Sequence, residues 1–579
     1  MKPSIEQREC PAEFDATAWQ GWSALAQRVL AARGIRQPLE TDLRLERLRD
    51  RPALPDQDRA AQRLADAIQR GEHILIVGDF DADGATGVAV AMRGLALLGA
   101  RKLSFAVPDR QKHGYGLSEL LAGELVQQHP NLVVTVDHGT TSLAGIARLQ
   151  AAGVEVIVTD HHLAGAERPA CSALVNPNAT EASHPLRHLA GVGVMFHVLA
   201  AVRAELIARG HALAAAAKLA PLLDLVALGT VADLVPLDHA NRILVEHGLR
   251  RIRAGQAQPG ILALLSVAGR DADSAQASDL GFVVGPRLNA AGRLDDMTHG
   301  IRCLLADDPA EARALAVELD AFNRERKDLQ HLMEREAREH LAHLRKLDRD
   351  PPALLWVADP QWHPGVVGLI ASRLCERWHR PVVALAPAEA GSLEWRGSGR
   401  SIPGFHLRDA LVEADRRAPG LMTRFGGHAM AAGLTLQESA LTPLATLLPE
   451  VAKDLMPPDA LERVIWTDGS LDPRDWNLRL VDELQALGPY GQGFPEPCFE
   501  GEFERLGHRL IRERHLKLRV RAAGLRSTEV EALWFFIAPE RVEPLCSAQR
   551  VRLVYQLSRE RWQGQENLQL RILHAEAVA

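Results

Sequence analysis

From residue 73 the chain alternates short apolar runs with longer amphipathic ones. Residues 73–77, 103–107, 132–136 and 154–159 are short and almost continuously apolar, the pattern of strands buried on both faces. Between them, 86–98, 117–127 and 142–152 carry apolar residues at helical spacing. Such alternation predicts a parallel sheet covered by helices on both faces. Ahead of it, residues up to about 53 read as helical pieces broken by prolines and packed on this first domain. Beyond it, 221–237 is an apolar stretch holding two acids, Asp224 and Asp233, and 285–293 reads as a loop with two arginines.

From 308 to about 347 a helical pattern runs without proline or glycine after its first turn. At ~1.5 Å per residue it spans on the order of 50–60 Å, enough to separate domains. A second α/β unit follows, with strands near 353–358 and 381–385, and ends near Gly426-Gly427-His428. Met456-Pro457-Pro458 reads as a linker. From about 460 the chain turns to short alternating segments with turn signals, which predicts a small β-barrel. The expected layout is a segment 1–55 on the first domain, a parallel-sheet domain 56–305, a connecting helix 306–348, a smaller α/β domain 349–455 and a barrel 460–579.

Each predicted strand of the first domain is followed by polar residues of one kind. The first gives Asp79, Asp81 and Asp83; the second gives Asp109 and Arg110; the third gives Asp137 and His138; the fourth gives Asp160, His161 and His162. Ligand sites in open α/β sheets lie beyond the carboxyl ends of the strands, so four strands aim these groups at one crevice. If the first strand continued, Asp79, Asp81 and Asp83 would share one side; if the chain turns, they crowd around the strand end. Taken alone the run reads equally as a solvated acidic turn or as a cation site. Confined carboxylates cost free energy unless a cation neutralises them, and hard divalent ions prefer carboxylate oxygen. Imidazole beside carboxylate suits Mn²⁺, with Zn²⁺ or Fe also open.

Charge and cysteine content narrow the setting. A net charge of -7 argues against a basic coat that binds nucleic acid everywhere, and leaves room for a local basic groove. The 6 cysteines have no paired spacing, which suits reduced thiols. The N-terminus lacks the apolar core of a signal peptide. The most apolar region, 212–237, is broken by Lys218, Pro221, Asp224 and Asp233, so no membrane span is expected. Together these predict a cytoplasmic protein. In the barrel region His515-Leu516-Lys517-Leu518-Arg519-Val520-Arg521 alternates, so a strand would put Lys517, Arg519 and Arg521 on one face. Such a face could track a phosphate backbone or be the solvated side of a barrel strand.

Asp160-His161-His162 is the signature of the DHH phosphoesterase superfamily, and the flanking segments resemble its single-stranded-DNA exonuclease branch. Those segments are Val77 to Thr86, His113-Gly114-Tyr115-Gly116-Leu117, Val136-Asp137-His138-Gly139, Leu223 to Asp233 and Gly285-Pro286-Arg287-Leu288-Asn289-Ala290. His363 to Gly368 and Phe425-Gly426-Gly427-His428 resemble the DHH-associated domain, and the last domain resembles an OB fold. The resemblance implies a two-metal phosphodiesterase that hydrolyses single-stranded DNA from 5′ to 3′ and releases 5′-mononucleotides. It implies two Mn²⁺ or Mg²⁺ ions on Asp81, Asp83, Asp137, His161, His162 and Asp224, with Asp137 bridging and catalytic together with His161 and Asp160. Asp79 is open between ligand and orienting group, as is His138; Asp160 is expected to orient a histidine ring. Asp233 is expected to be structural. For the terminal phosphate the resemblance offers Ser372, Arg373 and Arg287, with Arg110 and Arg293 equally readable as ion-pair partners. Asn289 and the Gly427-His428 turn are further candidates to contact substrate, and so are Lys517 and Arg519 in the barrel. Tyr490, Phe494 or Trp534 would stack bases unless they are core, the reading favoured for Trp534. The resemblance also implies a helicase and a single-strand-binding protein as partners in repair. Two rivals remain, a phosphodiesterase of short oligonucleotides or cyclic dinucleotides and a non-catalytic DNA-binding scaffold.

Overall fold

The computed structural model describes residues 3–11, 19, 21–49, 51–110, 112–165, 167–179, 184–342, 352–522, 529–562 and 565–578. Its first sheet has five parallel strands, β1 (His73–Gly78), β2 (Lys102–Ala106), β3 (Leu132–Val136), β4 (Glu155–Thr159) and β5 (Ala173–Val175), in the order β2-β1-β3-β4-β5. All of β3 is buried and β1 is buried from Ile74 onward, as continuous apolar runs require. The crossovers α1 (Ala82–Leu97), α2 (Glu119–Val126) and α3 (Leu143–Ala151) cover the sheet, and α4 (Gly191–Ala208) packs against α1. The strand order reverses at β1, so the crevice between the carboxyl ends of β1 and β3 is a topological switch point.

Three sequence expectations change. Helix α1 begins at Ala82, a turn earlier than the pattern predicts, because Asp81 caps it: its side chain accepts from the Gly84 amide at 3.0 Å. The Asp79-Asp81-Asp83 run therefore leaves a strand, caps a helix and enters its first turn. The presumed loop 285–293 is helical, a Gly285–Leu294 helix that follows a π turn at Leu280–Val284. Pro286 fits because a proline in the first helical turn removes only an amide that has no intrahelical acceptor. Finally, among the described residues the one helix long and apolar enough to cross a membrane is α4, rather than anything in 212–237, and half of α4 is buried inside the protein.

Contacts divide the described residues into two compact units. One holds 5–292, 296–319 and 466–579. In it the N-terminal segment from Ile5 onward, which begins in a strand (Ser4–Gln7) where helix was expected, packs on both domains: the Arg8 amide donates to the Thr467 carbonyl, Arg33 forks onto Asp468, and His247 bonds the Leu43 carbonyl. The unit ends in a closed barrel of β6 (Phe499–Ile511), β7 (His515–Ala522), β8 (Glu529–Trp534), β9 (Arg550–Trp562) and β10 (Gln565–Val578) in the order β6-β7-β8-β10-β9. The other unit, 1–4, 293–295 and 320–465, contains a five-stranded mixed sheet over Leu355–Ala358, Val382–Pro387, Glu394–Arg400, Met422–Gly427 and Ala431–Gln437. The long helix runs Pro309–Ala342; the rest of its expected span, 343–348, lies outside the described residues.

Candidate metal centre

Backbone geometry gathers the acids. At the end of β1 the helix turn closes so tightly on the strand that a Cβ on Gly84 would lie 2.5 Å from the Asp79 carbonyl oxygen. Only glycine lets α1 start there and turn Asp83 inward. At the end of β3, Asp137 takes φ +67°, the left-handed region that L-residues other than glycine rarely occupy. Such strain persists where the surroundings over-determine it. Gly191, the first residue of α4, packs closely on it: a Cβ there would lie 2.6 Å from the Asp137 Cβ.

The Asp83 carboxylate accepts from the amides of Gly191 at 2.7 Å and Val192 at 3.0 Å, so the N-terminus of α4 holds it. His161 Nε2 lies 3.0 Å from Asp137 Oδ1, 3.4 Å from Asp233 Oδ2 and 3.9 Å from Asp83 Oδ2. Three overlapping groups have ligand atoms within 4.8 Å of one another: Asp137-His161-His162, Asp83-His161-Asp233 and Asp79-Asp81-Asp137. Asp137 and His161 each belong to two of them.

Asp160 stands behind this cluster. Its carboxylate accepts from the His162 ring Nδ1 at 2.8 Å, from the His161 and His162 amides and from the Thr140 amide. That fixes the His162 ring, as a carboxylate partner does for metal-bound imidazoles. The other ring nitrogen, Nε2, lies 3.1 Å from the Tyr115 hydroxyl. Asn176 donates to the His162 carbonyl and to Thr140, tying the loop to β5. The His138 ring is fully buried, and burial lowers it to about 4, so it is neutral.

Charge crowding is severe. Burial, reinforced by the Asp81 charge, pushes Asp79 up to about 8 and Asp83 up to about 7. Burial and the neighbouring carboxylates raise Asp137 and Asp233 well above the usual range. Asp160 moves the other way: burial opposes its charge, yet the His162 and Thr140 bonds hold it well below that range. Asp79 Oδ1 is buried with no hydrogen-bond donor. Oxygen-rich, undersupplied with donors and reluctant to ionise, this donor set fits hard divalent cations.

Two expected roles exchange. Asp224 is not in the cluster: its carboxylate accepts from the Leu225 amide at 2.8 Å and the Gln258 amide at 2.5 Å, pinning the start of the Pro259–Val267 helix. Asp233 is in the cluster instead. The two acids sit at opposite ends of the Leu223–Ala232 helix, about 13 Å and half a revolution apart, so only one can face the ions. That spacing was the available signal.

The proposed substrate contacts are divided between the two units. Asn289 accepts from the Ala82 amide at 2.7 Å, bracing the start of α1. The Arg287 guanidinium donates to the Val283 carbonyl, and Arg110 lies over the Phe80 ring at 4.9 Å. In the second unit the Ser372 hydroxyl donates to the Gly368 carbonyl and accepts from Arg400 Nε at 3.1 Å, while exposed Arg373 pairs with Glu376. Gly427, at φ +139°, leads into a tight turn in which the His428 amide donates to the Ala431 carbonyl. Strand β7 does alternate, but its cations are matched by acids: Lys517 with Glu531, Arg519 with Glu529, Arg521 with Glu504. Cross-strand pairing thus removes the expected positive stripe. Tyr490 and Phe494 stack on each other under Arg242, an internal brace rather than a base platform, and Trp534 is half-buried against Arg541.

Comparison with known proteins agrees with this geometry. Residues 73–230 match the DHH family N-terminal domain, 352–454 the DHHA1 domain and 467–574 the RecJ OB domain. The chain is 46% identical over 555 residues to the single-stranded-DNA-specific exonuclease RecJ of Dickeya dadantii, covering 95% of this chain and 96% of that protein. Its fold is similar to a crystal structure of RecJ in complex with Mn²⁺ from Thermus thermophilus (TM-score 0.81, 30% identity, 100% of this chain and 80% of the other). It is also similar to the Mg²⁺ complex of RecJ from that organism (TM-score 0.75, 28% identity, 100% and 79%). With sequence, domain order and fold in agreement over nearly its whole length, the chain belongs to the RecJ family of single-stranded-DNA-specific exonucleases.

Proposed function

We propose that this protein is a divalent-cation-dependent exonuclease that hydrolyses the phosphodiester bonds of single-stranded DNA from the 5′ end and releases 5′-mononucleotides. The observation that carries the reading is the overlap of the three ligand groups through Asp137 and His161 at the carboxyl ends of β1, β3 and β4. Asp79, Asp81, Asp83, Asp137, Asp233, His161 and His162 would hold two ions, Mn²⁺ or Mg²⁺, with Asp137 shared. A pair of such ions supplies a hydroxide nucleophile near neutral pH and offsets charge on the attacking and leaving oxygens.

The chain's own part is to keep these groups in register. The α4 amides hold Asp83, and Asp160 sets the tautomer and plane of the His162 ring. The Asn289 carboxamide anchors the turn between Asp81 and Asp83. A terminal phosphate would be read by guanidinium and hydroxyl donors, for which Arg373 and Ser372 are the candidates in the second unit and Arg287 in the first. Family membership supports work on single-stranded DNA; a place in the cytoplasm, in repair and recombination beside a helicase and a single-strand-binding protein, is part of the same proposal.

The test is digestion of end-labelled single-stranded DNA with Mn²⁺, Mg²⁺ or chelator, with and without a 5′ phosphate, alongside a dinucleotide. Mononucleotides from the 5′ end, lost with chelator, are expected. Preference for the dinucleotide, or activity that survives chelation, refutes the reading.

A further inference from the structure

Strands β1, β3 and β4 deliver the acids and histidines of the metal centre, and none of its three ligand groups draws on β5 at the edge of the sheet. Directly after β5 come Asn176, Pro177 and Asn178, in a short 3₁₀ turn. Asn176 is fully buried and Asn178 half-buried.

His161 and His162 lie outside any helix or strand, so their peptide groups have no ladder to join, and buried backbone polar groups need partners. Side chains supply all four. Both amides donate to Asp160 Oδ1, at 2.7 and 3.0 Å. The His162 carbonyl accepts from Asn176 Nδ2 at 2.9 Å, and the His161 carbonyl accepts from Asn178 Nδ2. Asn176 Nδ2 also donates to Thr140 Oγ1 at 2.9 Å, and the Thr140 amide donates to Asp160 Oδ2 at 2.9 Å. Asn176, Thr140, Asp160 and His162 thus close a ring of hydrogen bonds that joins the loops after β3, β4 and β5. Asn176 Oδ1 accepts from the Asn178 amide at 2.7 Å, an Asx turn across Pro177 that aims the second asparagine at His161.

A carboxamide suits both positions. It donates two protons without carrying charge, whereas a carboxylate has no proton to give a carbonyl and a lysine or arginine would set positive charge beside cation ligands. We propose that Asn176 and Asn178 are positioning residues of the metal centre. They fix the peptide planes of His161 and His162 and, through Thr140, the spacing between the loop that carries Asp137 and the loop that carries the histidines. Both act through the histidines rather than on the ions. The inference rests on the two-ion reading above and names the groups that keep its ligands in register.

The test compares full-length wild-type protein with Asn176→Ala, Asn178→Ala and, as a control, Asn131→Ala. Asn131 Oδ1 holds the His73 amide at 2.8 Å at the opposite, amino-terminal edge of the same sheet. Mn²⁺ is titrated calorimetrically into each metal-free protein well below its melting midpoint, and the midpoints are measured without metal. Both site variants should bind Mn²⁺ about 10- to 100-fold more weakly, while Asn131→Ala should lose stability alone. On a short single-stranded oligonucleotide the site variants should need correspondingly more Mn²⁺ for half-maximal turnover, with KM for the oligonucleotide at saturating Mn²⁺ unchanged. Asn178→Ala removes a single side-chain bond at a half-buried position, so it decides the matter even where Asn176→Ala does not fold. Wild-type Mn²⁺ affinity in folded Asn178→Ala, whatever its melting temperature, overturns the proposal and leaves the two-ion reading intact. If the wild-type protein itself binds no Mn²⁺, the two-ion reading fails and this inference falls with it.

Discussion

Asp224 and Asp233 provide the sharpest test of the metal centre, because the same helix carries both and the structure gives them opposite duties. Asp233→Asn removes one negative charge at a carboxylate whose Oδ2 lies 3.4 Å from His161 Nε2. A unit charge ~4 Å from another contributes about 4 kcal/mol at an effective dielectric of ~20. Every 1.4 kcal/mol is tenfold, so cation affinity should fall on the order of 10³-fold, less whatever the amide oxygen retains as a ligand. The Leu225 and Gln258 amides bond different oxygens of Asp224, so Asp224→Asn keeps an acceptor for one of them and sets its side-chain NH₂ against the other, costing about 1–3 kcal/mol. It should lower stability and leave cation affinity within a few-fold of wild type. Calorimetric titration with Mn²⁺, together with thermal denaturation of both variants, reads the two effects separately. If Asp224→Asn abolishes cation binding while Asp233→Asn binds normally, the assignment is reversed and the geometry argument fails.

Other consequences follow from the same site. Asp79 near 8 and Asp83 near 7 are raised above the unfolded value of 3.8, so without cation the native state binds more protons than the unfolded state between those limits. Stability of the metal-free protein therefore falls as pH rises through that window, and the gain in melting temperature from Mn²⁺ should grow from pH 6 to 8.5; a flat profile refutes it. Asp160→Asn leaves the His162 ring without its charged partner, and metal affinity or cleavage should drop about 10- to 100-fold. Recovery of full activity at ordinary Mn²⁺ concentration would show that the ring needs no such support. Gly191→Ala drives a Cβ to 2.6 Å from that of Asp137, costing about 1–3 kcal/mol and displacing the shared ligand, so Mn²⁺ titration should weaken together with the melting temperature.

Much of this protein was legible along the chain because its signals are local. Parallel strands buried on both faces must be short and apolar throughout, which made β1, β3 and β4 readable and put their following residues at one edge of the sheet. Since strand ends of a parallel sheet all face the same crevice, Asp137, Asp160, His161 and His162 followed from position alone. The alternation of β7 was likewise visible, with period 2. What only tertiary structure decided depends on partners distant in sequence. The choice between Asp224 and Asp233 turned on where Gln258 and His161 lie around one helix. The inward turn of Asp83 needed the α4 amides, more than a hundred residues downstream, and the left-handed backbone of Asp137 goes with the close approach of Gly191. Charge on β7 was cancelled across the barrel by Glu504, Glu529 and Glu531, which no pattern within the strand reveals. Periodicity reports which face a residue occupies; which charge or amide meets it there is set by chain crossings that the linear pattern does not encode.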